Sequence, residues 1–237
     1  MLELNKDAFL EGQTLLIDKP YEWSSFQALN SIKWTLKKAF GLKKIKVGHA
    51  GTLDPLATGL LLICTGKHTK KISEFQAMEK EYSGTFFMGA TTPSFDMETE
   101  VDNTYPTDHL TESLLRETTQ SFLGEIHQKP PVFSAIKMKG KRLYEYARKG
   151  ESVEIPSRKI RIHEFELTRI ELPEVDFRVG CSKGTYIRSL AHDFGKAVGS
   201  GSYLSALKRT KIGSYNVNNA VTPEDFRDLF RRSGFDI

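Results

Sequence analysis

The sequence predicts an α+β fold with a central, largely antiparallel mixed β-sheet flanked by helices. Three observations carry this reading. Amphipathic helical stretches interleave with runs of adjacent strand patterns rather than with single strands. The strand runs of the last third are separated only by tight turns such as Ser182-Lys183-Gly184. No repeat, linker or low-complexity tract interrupts the 237 residues, so residues 1–237 are expected to form a single domain with ample length for a core.

In chain order, Thr14 to Asp18 (TLLID) reads as a short buried strand that runs into Lys19-Pro20. Ser24 and Gln27 have capping-box spacing at the head of a helix. Phe26, Leu29, Ile32, Leu36 and Phe40 then fall on one helical face, and Gly41 ends the helix. Trp34 lies off that face, among lysines, where it can stack on a base or pack on a neighbouring element. Lys67 to Met78 is expected to be helical with Ile72 and Phe75 inward, and Lys80 to Met88 alternates as a strand through Tyr82, Gly84, Phe86 and Met88.

Gly89 to Thr107 is an acidic, turn-rich loop of functional length. A helix marked by Leu110, Leu114 and Phe122 follows. Pro130-Pro131 breaks the chain ahead of a short basic strand, Ala135 to Met138, and a helix over Leu143 to Arg148. Ile160, Ile162 and Phe165 mark one strand; Val175, Phe177, Val179 and Cys181 alternate in the next. Thr185 to Val198 is expected to be helical, Tyr203 to Lys208 a short helix and Ile212 to Val217 a last strand. Thr222 caps a terminal helix with Pro223 in its first position.

Hydrophobic residues make up 39% and charged residues 27% of the chain, values of an ordinary globular protein. Leu60 to Cys64, the longest apolar run, is too short to span a bilayer, and MLELNKDAF has no signal-peptide core. Cys64 and Cys181 form neither a disulfide framework nor a zinc pattern, so a cytoplasmic location is expected. The net charge of +4 is mild, but its distribution is not. No acid lies between Glu22 and Asp54, whereas Lys33, Lys37, Lys38, Lys43, Lys44 and Lys46 do. Such segregation suits one positive face toward a polyanion, and equally a set of solvated lysines.

The chemistry is expected in VGHAGTLDPLATGLLLICTG, Val47 to Gly66, where Asp54 is the single carboxylate among small residues. Small residues let a bulky ligand approach the backbone. The pattern also suits a plain turn in which Asp54 caps a helical turn beginning at Pro55. Other chemistries fit poorly. TGKHT departs from a phosphate-binding loop at His68 and at Leu61. The six histidines show no metal-ligand spacing, and Gly199-Ser200-Gly201 lacks the strand that a nucleophile elbow needs.

HAGTLDPLATGLL resembles the catalytic motif of the TruB family of tRNA pseudouridine synthases. LLIDKP, Lys80-Glu81-Tyr82, FSAIKMKGKRLYEYARKG, CSKGTYIRSLAHDFG and LKRTKIG resemble further blocks of that family in the same order, over about residues 13–221. The resemblance implies isomerisation of uridine 55 in the T loop of tRNA to pseudouridine. In that reaction the N1–C1′ bond breaks, the base turns, and C5 bonds to C1′, with no metal or redox cofactor.

By resemblance Asp54 is the catalytic aspartate that acts at C1′, much as a glycosidase carboxylate does. Arg188 pairs with it and holds it ionised. Tyr82 stacks on the flipped base and is a candidate for the proton transfer from C5. His49 fills the space left in the loop, Tyr186 and Leu207 line the pocket, Lys19 joins the substrate-contacting residues, and Asp96 joins the Asp54–Arg188 network. The implied partner is the T arm of tRNA, bound by a monomer with no protein partner and no membrane.

Two departures from the family are visible. Glu22-Trp23 stands where a glycine-containing turn is common, and Thr92-Pro93-Ser94-Phe95 differs from the usual approach to Asp96. A short form is expected, with residues 222–237 as a C-terminal helix in place of a PUA-type domain, which argues against the guide-RNA-dependent relatives. A non-catalytic RNA-binding or RNA-folding module and an aspartate-nucleophile hydrolase of small nucleosides remain the alternatives.

Overall fold

Residues Ala57–Thr65 are apolar on both strand faces, and a hydrophobic cluster packs against them on each side. The structure, a computed structural model, describes residues 4–134, 137–138, 141–142 and 155–237. In chain order the helices are α1 (Lys6–Glu11), α2 (Ser25–Ala39), α3 (Ile72–Ala77), α4 (Glu112–Gln120), α5 (Ile187–Ala197) and α6 (Pro223–Arg232). The strands are β1 (Thr14–Lys19), β2 (Val47–His49), β3 (Ala57–Thr65), β4 (Lys80–Met88), β5 (Ala90–Thr91), β6 (Asn103–Thr104), β7 (Gly124–Gln128), β8 (Lys137–Met138), β9 (Lys141–Arg142), β10 (Arg158–Glu171), β11 (Glu174–Cys181), β12 (Ser202–Ile212) and β13 (Tyr215–Asn216). They form two compact units, one of residues Met1–Tyr82 with Lys208–Ile237, the other of Ser83–Leu207.

In the first unit the strand order is β1-β3-β12-β4, with β2 also on β3 and β13 on β12. β1 and β2 both run antiparallel to β3. An isolated parallel bridge joins Ile17 of β1 to Val221. The apolar run of β3 is explained by its two covered faces. Leu61 and Ile63 join Phe9, Leu15, Ile17 and the buried side of α2 and α6. Leu60, Leu62 and Cys64 join Ala50, Phe75, Ile212 and Val217. A strand buried on both faces needs no polar alternation.

Helix α2 begins at the Ser24–Gln27 capping box that its spacing predicts. Its buried residues are Ser25, Ala28, Leu29, Ile32, Thr35 and Leu36. Phe26, expected on that face, is 65% exposed, because the helix turns Ser25 inward in its place. Thr222 caps α6 with Pro223 at its start, again as expected.

In the second unit the order is β12-β4-β11-β10-β7. β10 is antiparallel to both β11 and β7. The core here is aromatic: Phe86 stacks on Phe177 at 4.1 Å, and Phe165, Phe194 and Phe122 close around them. Leu115, rather than the expected Leu114, is the fully buried leucine of α4.

The short helix expected at Tyr203 to Lys208 is instead part of β12. Leu204 and Leu207 have helical spacing, but partners decide the conformation. Ser205 Oγ donates to Thr85 O of β4 in the second unit, while Thr210 and Lys211 bond the Glu81 carboxylate in the first. The expected last strand, Ile212 to Val217, is the end of β12 followed by β13. The expected helix Leu143 to Arg148 lies outside the described residues.

Candidate active site

Asp54 lies in the turn between β2 and β3, and that turn is held by its backbone. Ala50 N donates to Leu62 O at 2.9 Å, and Asp54 O accepts from Ala57 N at 3.1 Å. Ser25 Oγ both accepts from Leu53 N (2.8 Å) and donates to Leu53 O (3.0 Å). Arg209 Nη2 donates to Gly51 O at 3.1 Å, and its Nε donates to Leu60 O at 2.7 Å. Lys19 Nζ reaches Pro55 O at 3.2 Å as well as Pro20 O and Trp23 O. These anchors all fall on main-chain groups of the turn, so much of its geometry is set by the backbone around Asp54.

Two glycines make this possible. Gly51 has φ +94° and Gly59 φ +102°, a region that side-chain-bearing residues avoid. A Cβ on Gly59 would stand 2.3 Å from Arg209 O, so only glycine lets β12 pass there.

The electrostatics of this unit follow from burial. Lys19 is inaccessible to solvent. Desolvation lowers its pKa to about 8; the Asp54 charge acts against that shift, and the Arg209 charge adds to it. Burial, with Arg209 again second, lowers the His49 pKa, so the imidazole is neutral at pH 7. Tyr82, on β4, is buried in the same unit.

Lys19 has a testable signature. Between pH 8 and 10.5 the unfolded chain retains a proton that folded Lys19 has released, so stability rises with pH across that window. The span corresponds to roughly 3 kcal/mol. Lys19→Met is expected to lack this rise; denaturant titrations of both proteins from pH 7 to 10.5 check it, and parallel profiles would refute it. Ser25→Ala leaves a buried amide without its acceptor and is expected to cost about 1–3 kcal/mol. An unchanged melting temperature would contradict that.

The second unit holds Arg188, Asp96, Tyr186 and Leu207. Arg188, at the start of α5, is buried with Nη1 3.5 Å from Asp96 Oδ2. The same guanidinium donates to Ser94 O (3.3 Å) and Phe133 O (2.9 Å). Asp96 also accepts from Glu98 N at 2.9 Å. The 92–96 segment that departs from the family pattern closes on itself: Thr92 Oγ1 donates to Asp96 O, and Phe95, at φ +64°, stacks on His192 at 4.0 Å. Tyr186 is clipped by Gln128, whose amide takes its N–H (2.8 Å) and donates to its carbonyl (3.0 Å). Arg158 lies over the Tyr186 ring at 5.6 Å. Leu207 is half-buried on β12.

Sequence reasoning did not single out Arg209 or Ser25. Arg209 lies inside LKRTKIG, but nothing in its spacing shows that it turns inward. Lys19, expected to contact substrate, has its ammonium committed to three carbonyls.

The arrangement offers a carboxylate on a backbone-anchored turn, a buried aromatic ring and a neutral histidine in one unit, and a buried arginine with its aspartate in the other. Comparison with known proteins agrees on a single family. Residues 37–187 match the model of the TruB family pseudouridylate synthase N-terminal domain, and residues 188–236 that of the tRNA pseudouridylate synthase B C-terminal domain. The chain is 68% identical to a tRNA pseudouridine synthase B of Flavobacterium johnsoniae over 92% of this chain and 96% of the relative. It is 54% identical to that of Phocaeicola vulgatus, over 92% and 93%. Among solved structures, a Cbf5-Nop10-Gar1 complex includes a chain matched with a TM-score of 0.70 at 28% identity, over 96% of this chain and 58% of that one. With these matches spanning nearly its whole length, the chain belongs to the TruB family of pseudouridylate synthases.

Proposed function

We infer that this chain is a tRNA pseudouridine synthase that isomerises uridine 55 of the T loop. Asp54 carries the reaction. Its carboxylate acts at C1′ as the N1–C1′ bond breaks; the freed uracil turns, C5 bonds to C1′, and the C5 proton returns to solvent while N1 takes up a proton. Substrate and product are isomers, so atoms and electrons balance without a co-reactant. The observation that carries the reading is the turn whose main chain is fixed by Ser25, Arg209 and Lys19, which places the single carboxylate of this motif on a preorganised backbone, as electrostatic and nucleophilic catalysis require.

The other residues take roles that fit their surroundings. Tyr82 supplies the flat surface for the extruded base, and it is the candidate for moving the C5 proton. Neutral His49 fills space next to the turn without adding a charge that would compete for Asp54. Arg188 is the cation of the reaction, oriented by Asp96. Tyr186 and Leu207 line the base pocket, and Lys19 holds the turn rather than the substrate. The protein acts on tRNA as a monomer, in the cytoplasm.

Release of tritium from a tRNA transcript labelled at uridine C5 tests this directly, because C5 loses its hydrogen only when it bonds to C1′. Stoichiometric release of one tritium per tRNA is expected. Tight tRNA binding with no release would instead make the chain an RNA-binding module, and turnover of free uridine would make it a nucleoside enzyme.

A further inference from the structure

Helix α2 carries a second stripe opposite in character to its buried one. Gln27, Asn30, Ser31 and Trp34 recur at three- and four-residue intervals, so they line one side of the helix, and Trp23 stands just before its N-cap, Ser24. With Arg227 of α6 they enclose a surface groove of about 310 Å³. Trp34 is 48% exposed, an unusual state for an indole in a chain with only two tryptophans, both of which line this groove. The Arg227 guanidinium lies 5.4 Å from the Trp34 ring centroid, and its Nη2 makes one long bond, 3.4 Å, to Ser31 Oγ.

Three properties define what fits. An exposed indole backed by a guanidinium is a stacking platform for a flat ring. The carboxamides of Gln27 and Asn30 offer donors and acceptors, as the edges of a base require. Among the described residues no carboxylate lies within ion-pair distance of Arg227, Lys33, Lys37 or Lys38, and two of the three acids of α6 are engaged elsewhere: Asp225 in the helix cap and Asp228 with Arg231. An apolar protein surface would bury these amides and the guanidinium unpaired, at a cost. A polyanion with flat bases satisfies all of them.

The groove is also tied to the catalytic turn. Lys19 binds both Trp23 O and Pro55 O, and Ser25 clamps Leu53. From Gln27 to Trp34 the helix then rises by about 10 Å. An RNA strand leaving the Asp54 turn can follow it.

We propose that the α2–α6 groove binds an unpaired nucleotide of the RNA substrate, its base stacked on Trp34 and its phosphate on Arg227. This rests on the RNA-directed reading above, and the experiment separates the two. In Trp23→Phe the only indole is Trp34. Its fluorescence is expected to be quenched when unmodified tRNA transcript is added, and to recover as salt is raised. Trp34→Ala is expected to raise the KM of tritium release about tenfold with kcat retained, Arg227→Gln to raise it less, and Trp34→Phe to keep most of the native value. Unchanged Trp34 fluorescence at saturating tRNA, or native KM in Trp34→Ala while pseudouridine still forms, would overturn the groove and leave the enzyme reading standing. Quenching without any tritium release would do the reverse.

Discussion

Asp54→Asn is expected to reduce tritium release from labelled tRNA by at least about 10⁴-fold, the scale on which loss of a covalent or charge-stabilising carboxylate acts. The amide is nearly isosteric, and Ala50, Gly51, Leu53, Asp54 and Pro55 each anchor the turn through a main-chain group that the substitution keeps. Melting temperature is therefore expected to stay within a few degrees of native. The substitution also removes the charge that supports protonated Lys19, so the Lys19 pKa is expected to fall below about 8. A variant with native turnover would remove Asp54 from the mechanism. A variant that unfolds would show that the carboxylate is structural.

Arg209→Met is expected to damage the protein as much, by a different route. Arg209 is almost wholly buried and provides the donors for Leu60 O and Gly51 O. Methionine fills much of the volume but leaves both carbonyls without partners, at a cost of about 3–5 kcal/mol. For a chain of this size that is a fall of roughly 6–20 °C in melting temperature. Lysine is expected to rescue little, because one ammonium cannot reproduce the two-directional fork. Removing the guanidinium also lifts a repulsion from Lys19 and His49, so both pKa values are expected to rise. Thermal melts and a histidine NMR titration check these outcomes. Native stability in Arg209→Met would contradict the role assigned here.

Much of this molecule was readable before any coordinates. Helix α2, α6 and strand β4 follow from capping residues and from local periodicity, which depend on neighbours a few positions away. Asp54 and Tyr82 were legible as a motif and as a family resemblance. β12 was not. Its Leu204 and Leu207 satisfy a helical period, and only hydrogen bonding to β4 decides for strand. Phe26 was misplaced for a related reason: both Ser25 and Phe26 can start the helix, and Ser25 goes inward because Leu53 supplies both of its hydrogen bonds.

The sequence by itself determined the α+β class, the starts of α2 and α6, the candidate carboxylate and the family to which the chain belongs, because each rests on residues close together in the chain or on ordered motifs. The tertiary structure alone decided what holds the turn around that carboxylate in place. Lys19 and Ser25 flank the short β1–α2 connection and Arg209 lies far along the chain on β12, and each was an ordinary polar residue until burial forced it to find a backbone partner. A buried donor must be satisfied wherever the fold puts it. That requirement, which no local pattern expresses, ties these three residues to the turn around Asp54.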